Sequence, residues 1–287
     1  MNAKTKKKIQ KVWKVIWHYI SLFLISCFVL LPYYWMIVTA VKPTEEVMQS
    51  PATLLPSRLS FTNFTKVWSS IPLATYMKNS MVVSLTATVV SVIFATLCGY
   101  SISRYIRKRA QRVSFVIMLV SQLIPGIVTM ISLYFIMFNM KLTNTYVGLV
   151  IAYVVWAVPF CTLMIKSYFD AAIPVAIEES ARIDGCSNFG IFWRVCLPIS
   201  VPGIISTGIF AFITAWNEYM WASIILSKDK LKPVSVGIYD FIGQYSANTK
   251  MAITMTAGII ITIPAIIIFA FLQKYLISGL SAGAVKG

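Results

Sequence analysis

The chain has 287 residues, of which 58% are hydrophobic and only 12% are charged. Soluble domains carry about 25% charged residues, so this composition indicates a membrane protein and excludes disordered, collagen-like, coiled-coil and disulfide-stapled secreted chains. The formal net charge of +16 would suit nucleic acid or an anionic membrane surface, and the apolar composition favours the membrane.

Six stretches of 23 to 28 residues contain no Asp, Glu, Lys or Arg. A helix needs about 20 apolar residues to cross a bilayer, and the two-residue alternation of a β-barrel is absent. We therefore predict an all-α polytopic membrane protein with six transmembrane helices. The stretches lie between Lys14 and Lys42, Lys78 and Arg104, Arg112 and Lys141, Lys141 and Lys166, Arg194 and Glu218, and Lys250 and Lys274.

The distribution of Lys and Arg predicts the orientation of these helices. One side of a six-span protein would hold sixteen of the 25 basic residues and the other side nine. The positive-inside rule then places both termini in the cytoplasm, with the chain spanning the plasma (inner) membrane several times. The five basic residues from Arg104 to Arg112 are interpreted as a topological anchor at the membrane lipid, and no nucleic-acid partner is expected.

The N-terminal apolar run could also suggest a secretory signal. It is 27 residues long, against about 7–15 for a signal core, so we expect it to remain as the first helix. The predicted organisation is a cytoplasmic basic tail (1–14), a first transmembrane helix (15–41), an extracellular loop (42–78), a transporter core (79–273, with a loop at 166–198) and a cytoplasmic C-terminal tail (274–287).

The sequence contains no recognisable catalytic or energy-converting motif. It has one His and five Cys without a CxxC pair, so neither a metal nor a disulfide is expected. It has no Gly-Lys pair for an ATP-binding loop, and the apolar stretches lack the ionisable groups typical of proton-coupled carriers. The chain is therefore predicted to be non-catalytic, leaving a passive carrier, a sodium-coupled carrier or a subunit driven by a partner.

The loop at 166–194 is long for a connection between spans and holds four of the nine acidic residues. Pro174 suits the start of a helix, with Glu178, Glu179 and Arg182 on its polar face. Asp184-Gly185 predicts a turn. The apolar face of this helix would consist of Ile173, Ala176, Ile177, Ser180 and Ile183.

A second short helix should follow the turn. Ser187 or Asn188 could cap it, and Leu197-Pro198 would lead into the fifth span. One face of this second helix would carry Phe189, Phe192, Trp193 and Cys196.

The loop has a recognisable spacing. Glu179-Ser180-Ala181, Gly185 and Val195-Cys196-Leu197-Pro198 follow the pattern E-A-A-x3-G-x9-I-x-L-P, with Ser180 and Val195 as mild departures. This pattern resembles the EAA loop of ATP-binding-cassette (ABC) importer permeases. The tail at 279–287 and the segment Trp216-Asn217-Glu218-Tyr219 are similar to the carbohydrate-uptake (maltose and multiple-sugar) branch. The resemblance covers essentially the whole chain.

The resemblance implies a type I ABC importer fold, with 166–198 as a cytoplasmic helix–turn–helix coupling loop. It implies that the chain forms half of a sugar pathway and holds no cofactor, since ATP and Mg would bind to a partner ATPase. The other implied partners are a second sugar permease and an extracellular sugar-binding protein, and Glu179 would pair with a basic residue of the ATPase. The implied coupling residues are Glu178, Glu179, Ser180, Ala181, Asp184, Gly185, Leu197 and Pro198.

Three alternatives remain open from the sequence. The loop helix could instead lie on lipid headgroups, with Glu178 and Arg182 as an i,i+4 ion pair. The same fold could import another solute. A sodium-coupled or passive carrier is the third possibility.

The outer face and the pathway have weaker signals. In similar importers the loop at 218–250 reaches into the binding protein, and Gly243, Gln244, Tyr245 and Ser246 would form that probe. Pro125-Gly126 and Pro159 are predicted kinks. Sugars present hydroxyls and apolar ring faces, so a pathway needs amides and aromatic rings. The pathway candidates are Asn139, Asn144, Trp156, Asn217, Glu218 and Tyr219.

Overall fold

The protein is known from a computed structural model that describes residues 3–47, 49, 51–243 and 247–284, with side chains described for 11–47, 49, 51–242 and 251–275. Within these ranges every regular element is helical, which confirms the all-α class. The helices are α1 (Ala3–Val41), α2 (Thr62–Ser70), α3 (Leu73–Arg104), α4 (Lys108–Leu123), α5 (Gly126–Asn139), α6 (Tyr146–Ala172), α7 (Val175–Ile183), α8 (Asn188–Ile191), α9 (Leu197–Ile199), α10 (Val201–Trp216), α11 (Met220–Ile225), α12 (Val234–Gly243) and α13 (Ala247–Ala284).

Four helices are long and apolar enough to cross a bilayer, and two bent helix pairs complete the six predicted spans. The four are α1 from Lys11, α3, α6 and α13 over Met251–Tyr275. The pair α4–α5 bends by 92°, and the helical segment Asn188–Ile199 bends by 72° where it meets α10. The first bend lies at Pro125-Gly126, as predicted, because proline removes a backbone donor and favours an extended residue before it.

Several predicted boundaries differ from the observed ones. α3 begins at Leu73, so Lys78 lies within this helix and not before it. The predicted extracellular loop contains α2. Most of residues 195–200 belongs to the bent segment before α10. α6 continues through Pro159 without a break, and α13 extends into the predicted C-terminal tail. Charged residues mark spans only approximately, because long side chains can reach the interface from inside a helix.

The chain divides into two compact units. The first unit comprises Met1–Ile71 and Phe241–Ile260. Within it, the most apolar part of α1 has no buried residue. The side chains of this part of the helix are therefore free to contact lipid or another membrane subunit. The Asn63 amide of α2 donates to the carbonyls of Ala40 (2.9 Å) and Lys42 (3.1 Å), which satisfies acceptors left free at the end of α1.

The second unit, Pro72–Asp240 and Ile261–Gly287, is built on α3 packed along α6, with α10 against both. Gly99 permits their close approach, because an added Cβ would lie 3.1 Å from the Ile165 side chain and the Lys166 backbone. A buried apolar cluster lies at each end of this packing. One of them includes Tyr100, Phe169, Ile173 and Phe192, and it carries the loop between α6 and α10.

Candidate functional site

The segment between α6 and α10 forms the predicted helix, glycine turn and second helix. α7 ends at Ile183 with Asp184 as its C-cap, and Gly185 has a φ of +84°. The Gly185 N–H donates to the Arg182 carbonyl (3.1 Å) and the Cys186 N–H to the Ala181 carbonyl (3.0 Å), which is the Schellman arrangement that ends helices at glycine. The turn is therefore fixed by backbone bonds that require a left-handed residue.

The second helix begins at a side-chain cap. The Ser187 hydroxyl accepts a hydrogen bond from the Gly190 N–H (3.2 Å), so Ser187 is the cap among the two predicted candidates. The backbone then forms a π-helical turn over Phe192–Cys196 and enters α9. Leu197 is half-buried against the apolar cluster and Pro198 is exposed.

Glu178 lies in the interior and not on the polar face predicted for it. The residue is only 4% exposed. Its carboxylate accepts hydrogen bonds from the Tyr100 hydroxyl (3.2 Å) and from Nε of Arg104 (2.5 Å), both on α3. The predicted alternative pairing with Arg182 does not form, because Arg182 instead donates to the Asn188 side chain (3.2 Å).

Arg104 has a structural role in addition to its place in the basic cluster. Its side chain is 9% exposed. Besides Glu178, its guanidinium donates to the carbonyls of Ile173 (2.7 Å) and Phe169 (3.3 Å) at the end of α6. The end of a helix presents free carbonyls and partial negative charge. The Arg104 guanidinium therefore neutralises the Glu178 carboxylate of α7 and also satisfies two free carbonyls at the end of α6.

A second carboxylate extends this network toward the surface. Asp170 lies 3.7 Å from Nη1 of Arg104 and 2.6 Å from Nζ of Lys166, and it accepts a hydrogen bond from Ser103. We call Tyr100, Arg104 and Glu178 the buried clamp, and Asp170 is its exposed extension. The clamp joins the ends of α3 and α6 to α7, so these three helices meet at one ionic centre.

The outward side of the loop combines acidic and apolar groups. Glu179, Ser180 and Asp184 are exposed, and Ala181 is half-buried against the apolar cluster. Ile183 is 86% exposed, Phe189 74% and Trp193 58%. We call the exposed residues Glu179, Ile183, Asp184, Phe189 and Trp193 the loop surface.

The predicted apolar faces of the two short helices are therefore partly wrong. Ile173 is buried, but Ile177 and Ile183 face outward. Phe192 and Cys196 are buried, whereas Phe189 and Trp193 stack on each other outside, with 6.2 Å between ring centroids. Exposed aromatic and aliphatic groups beside carboxylates are typical of a protein-binding surface.

A narrow cavity lies in the second unit, among α3, α6, α10 and the start of α11. It has room for about one water molecule. The indoles of Trp156 and Trp221 lie on its wall, 6.4 Å apart. The lining residues are Ala87, Ser91, Tyr153, Trp156, Ala157, Ala211, Thr214, Ala215, Glu218 and Trp221.

Glu218 is the one acidic residue in this lining. Its carboxylate accepts hydrogen bonds from the backbone N–H groups of Trp221 (2.8 Å) and Ala222 (3.1 Å), and so caps α11. Burial raises the pKa of the Glu218 carboxyl above its ordinary value, although the two N–H groups favour the ionised form.

Only two of the six predicted pathway residues, Trp156 and Glu218, line the cavity. Asn144 has a φ of +56° and its side chain accepts from the N–H groups of Ser227 (2.7 Å) and Lys228 (3.0 Å), so it fastens two loops. Asn217 donates to the Ile213 carbonyl one turn earlier. Asn139 is exposed at the end of α5. Tyr219 packs on Tyr239, with 4.8 Å between ring centroids.

The predicted loop at 218–250 is largely helical. α11, a 3-10 turn at Asp229–Leu231 and α12 occupy it. The Asn79 amide donates to the carbonyls of Lys230 and Lys232, and hydrogen bonds from Lys232 to Asp229 and Asp240 raise the pKa of Lys232 to about 12. Of the predicted probe, Gly243 ends α12, and Gln244, Tyr245 and Ser246 lie outside the described residues.

Comparison with known proteins identifies the family. Residues 91–282 match the family model described as the binding-protein-dependent transport system inner membrane component. The match includes the whole helix–turn–helix loop and the cavity apart from Ala87. The chain belongs to this family. It is a multi-pass membrane permease.

Relatives of this permease align over nearly their full lengths. It is 30% identical to the probable ABC transporter permease protein YurM of Bacillus subtilis, over 100% of this chain and 94% of that protein. It is 32% identical to the diacetylchitobiose uptake system permease protein DasC of Streptomyces coelicolor, over 95% and 97% of the two chains. The alignments therefore include all six spans.

Solved structures share the fold of this permease. A chain of a bacterial ABC transporter involved in the import of the acidic polysaccharide alginate superposes with a TM-score of 0.76, covering 96% of this chain and 99% of that chain at 23% identity. An alginate ABC transporter in complex with an alginate pentasaccharide-bound periplasmic protein gives a TM-score of 0.67 over 93% and 94% at 18% identity. These superpositions confirm the ABC importer permease fold.

Sequence reasoning missed the role of Arg104 and several residues of the cavity. The basic cluster concealed Arg104, because its neighbours Arg107 and Lys108 are exposed. Ser91 and Tyr153 lie within apolar stretches that gave no sign of which side chains face other helices. A signal existed for Arg104 alone: it is the basic residue that ends α3, where a cation opposes the helix dipole.

Proposed function

We propose that this permease is a transmembrane subunit of an ATP-driven sugar importer, and that its helix–turn–helix loop couples the pathway to a separate ATPase. The observation that carries the proposal is the combination of an exposed loop surface with a buried clamp behind it. A surface that binds a moving partner can move the spans only if it is rigidly attached to them.

The loop surface supports the coupling role. Ile183, Phe189 and Trp193 expose apolar groups that a partner would cover, and Glu179 and Asp184 offer carboxylates to basic residues around a cleft. Gly185 has no neighbouring atom within 4 Å of the position of a Cβ, so the turn leaves space for a close partner. The Ser180 hydroxyl donates to the Ala176 carbonyl within α7, Ala181 packs on the buried cluster, and Leu197 and Pro198 lead the chain to α10.

The buried clamp supports the mechanical connection. Arg104 binds Glu178 of α7 and two carbonyls of α6 at the same time. A force on α7 is therefore transmitted to the ends of α3 and α6. Binding and hydrolysis of ATP in the ATPase would move the loop and change which side of the membrane the pathway faces, so ATP and Mg act in the partner and not in this chain.

The remaining partners follow from the family and the apolar surfaces. A second sugar permease would cover exposed helices and supply the other half of the pathway, and a sugar-binding protein would deliver the solute from outside. The excess of basic residues supports a cytoplasmic location for the loop and both termini. Relatives named for diacetylchitobiose and arabinooligosaccharides support a sugar as the solute.

Reconstitution tests this function. The permease is co-purified with its ATPase, second permease and binding protein, placed in liposomes, and assayed with radiolabelled maltotriose, arabinotriose and diacetylchitobiose. We expect uptake of a sugar that needs both ATP and the binding protein, and that stops when a non-hydrolysable ATP analogue replaces ATP. Uptake driven by a sodium gradient, or equal uptake without ATP, would contradict the proposal.

A further inference from the structure

Two hydroxyl groups in the narrow cavity lack hydrogen-bond partners. Ser91 is 1% exposed and Tyr153 is 5% exposed. Neither hydroxyl forms a hydrogen bond with the described residues. A buried hydroxyl that lacks a hydrogen bond destabilises a fold, so two of them in one cavity point to a bound group that supplies those hydrogen bonds.

Glu218, which also lines the cavity, is placed to share a ligand with these two hydroxyls. The Glu218 carboxylate lies close to the Tyr153 hydroxyl and interacts with it, but the two groups lack the distance and angles of a well-formed hydrogen bond. A group the size of a water molecule fits in the cavity between them. The carboxylate can only accept hydrogen bonds, whereas the hydroxyls can donate or accept.

The walls of the cavity restrict the kind of ligand. Trp156 and Trp221 provide flat apolar surfaces, and the small residues Ala87, Ala157 and Ala215 leave the recess open between helices. A cation is disfavoured because only one charged ligand is present and its oxygens already accept two backbone N–H groups. A hydroxyl group beside an apolar ring face matches all of these features.

We propose that this cavity binds one hydroxyl group of the transported solute, with Ser91, Tyr153 and Glu218 as the residues that recognise it and Trp156 beside the sugar ring. The inference rests on the proposed function and adds specificity-determining residues to it. The recess is too small for a whole sugar, so it recognises one edge of a solute that occupies the wider pathway.

Two conservative variants test the inference. Ser91→Ala and Tyr153→Phe each remove a hydroxyl that forms no well-shaped hydrogen bond with the described residues, so the thermal stability of the assembled importer should not fall. The rate of ATP-driven sugar uptake at saturating loaded binding protein should fall about 2- to 10-fold, as expected for the loss of one hydrogen bond. Binding of the ATPase should be unchanged.

Thr162 provides a matched control on α6. Its hydroxyl is also buried and unpartnered, but it does not line the cavity. Thr162→Val should leave both uptake and sugar preference as in the wild type.

Tyr153→Phe should also reduce the difference in uptake rate between the sugar and the deoxy analogue that lacks the recognised hydroxyl.

The outcomes separate this inference from the function on which it rests. If the wild type takes up none of the three sugars with ATP, the proposed function fails and the cavity inference fails with it. If the wild type takes up sugar but Ser91→Ala and Tyr153→Phe behave like Thr162→Val, the cavity inference alone is wrong. A change in thermal stability without any change in sugar discrimination would indicate a bound structural water and would also overturn it.

Discussion

Arg104 and Glu178 form a buried ion pair between the end of α3 and α7, with 2.5 Å between Nε and Oε1. Both side chains are less than one-tenth exposed. From the sequence, a surface ion pair between Glu178 and Arg182 was an open alternative. The buried pair differs from such a surface pair, because neither charge can recover its hydration if the other is lost.

Arg104→Ala should strongly destabilise the permease. It would leave the Glu178 carboxylate buried without a cation, and breaking such a pair costs about 3–5 kcal/mol. Thermal denaturation of the purified protein in detergent, followed by size-exclusion chromatography, measures the effect. Arg107→Ala is the matched control, since Arg107 is exposed and its removal should leave the melting temperature unchanged. Equal effects of the two substitutions would contradict the buried clamp.

Glu179→Lys should act on assembly and not on folding. Glu179 is exposed on the loop surface, and reversing its charge opposite a basic partner should weaken binding of the ATPase by more than about 10-fold. Co-purification of the ATPase and uptake by vesicles are the measurements. Insertion into the membrane and thermal stability should match the wild type. Normal uptake by this variant would remove Glu179 from the coupling mechanism.

Gly185→Val should disrupt the turn of the loop through the backbone. The φ of +84° is disfavoured for residues with a Cβ by about 1–2 kcal/mol, and no side chain of the permease itself obstructs a Cβ there. Gly185→Asn should retain the turn better, since asparagine tolerates this conformation. We expect ATPase binding to decrease in the order glycine, asparagine, valine; equal binding by all three would argue against a required left-handed turn.

Ile183→Asp should prevent docking of the ATPase. The side chain is 86% exposed, and loss of a fully covered isoleucine costs about 1.5–3 kcal/mol, or about 10- to 150-fold in affinity. Leu59→Asp provides a control, because Leu59 is 68% exposed in the first unit and lies outside the loop surface. If both variants bind the ATPase as tightly as the wild type, the loop surface is not the docking site.

Asn144→Ala should reduce stability and leave sugar preference unchanged. The substitution removes the acceptor for Ser227 and Lys228, at a cost of about 1–2 kcal/mol, and places alanine at a φ of +56°. Asn139→Ala, at an exposed position, should have little effect on the melting temperature. A changed sugar preference in Asn144→Ala with an unchanged melting temperature would indicate that Asn144 contacts the solute.

The spans and the loop could be predicted from the sequence, because both depend on local signals. Charge-free stretches report helices in lipid, and the turn at Gly185 follows from backbone conformations that few residues adopt. The position of Glu178 could not be predicted in this way. α7 has nine residues, and such a short helix at a surface contacts the bundle on one side and a partner on the other, so apolar spacing does not tell which side is inside.

The cavity was predicted least well for a related reason. In an apolar stretch, residues that face lipid and residues that face another helix have similar compositions. Trp156 and Glu218 could be selected by their side-chain chemistry. Ser91 and Tyr153 could not, because only the packing of α3 against α6 brings them to the cavity. Asn144 stays a predicted pathway residue, and its side chain also fastens two loops, because an amide at a loop end can serve turn geometry.

The buried clamp also imposes an order on biogenesis. Arg104 and Glu178 are separated by 74 residues, and α4, α5 and α6 lie between them in the chain. Until α6 has been inserted, the arginine has neither its carboxylate nor its two carbonyl acceptors, and the loop has no fixed shape. An ATPase that recognises the finished loop would therefore recruit only permeases in which α3, α6 and α7 have already come together.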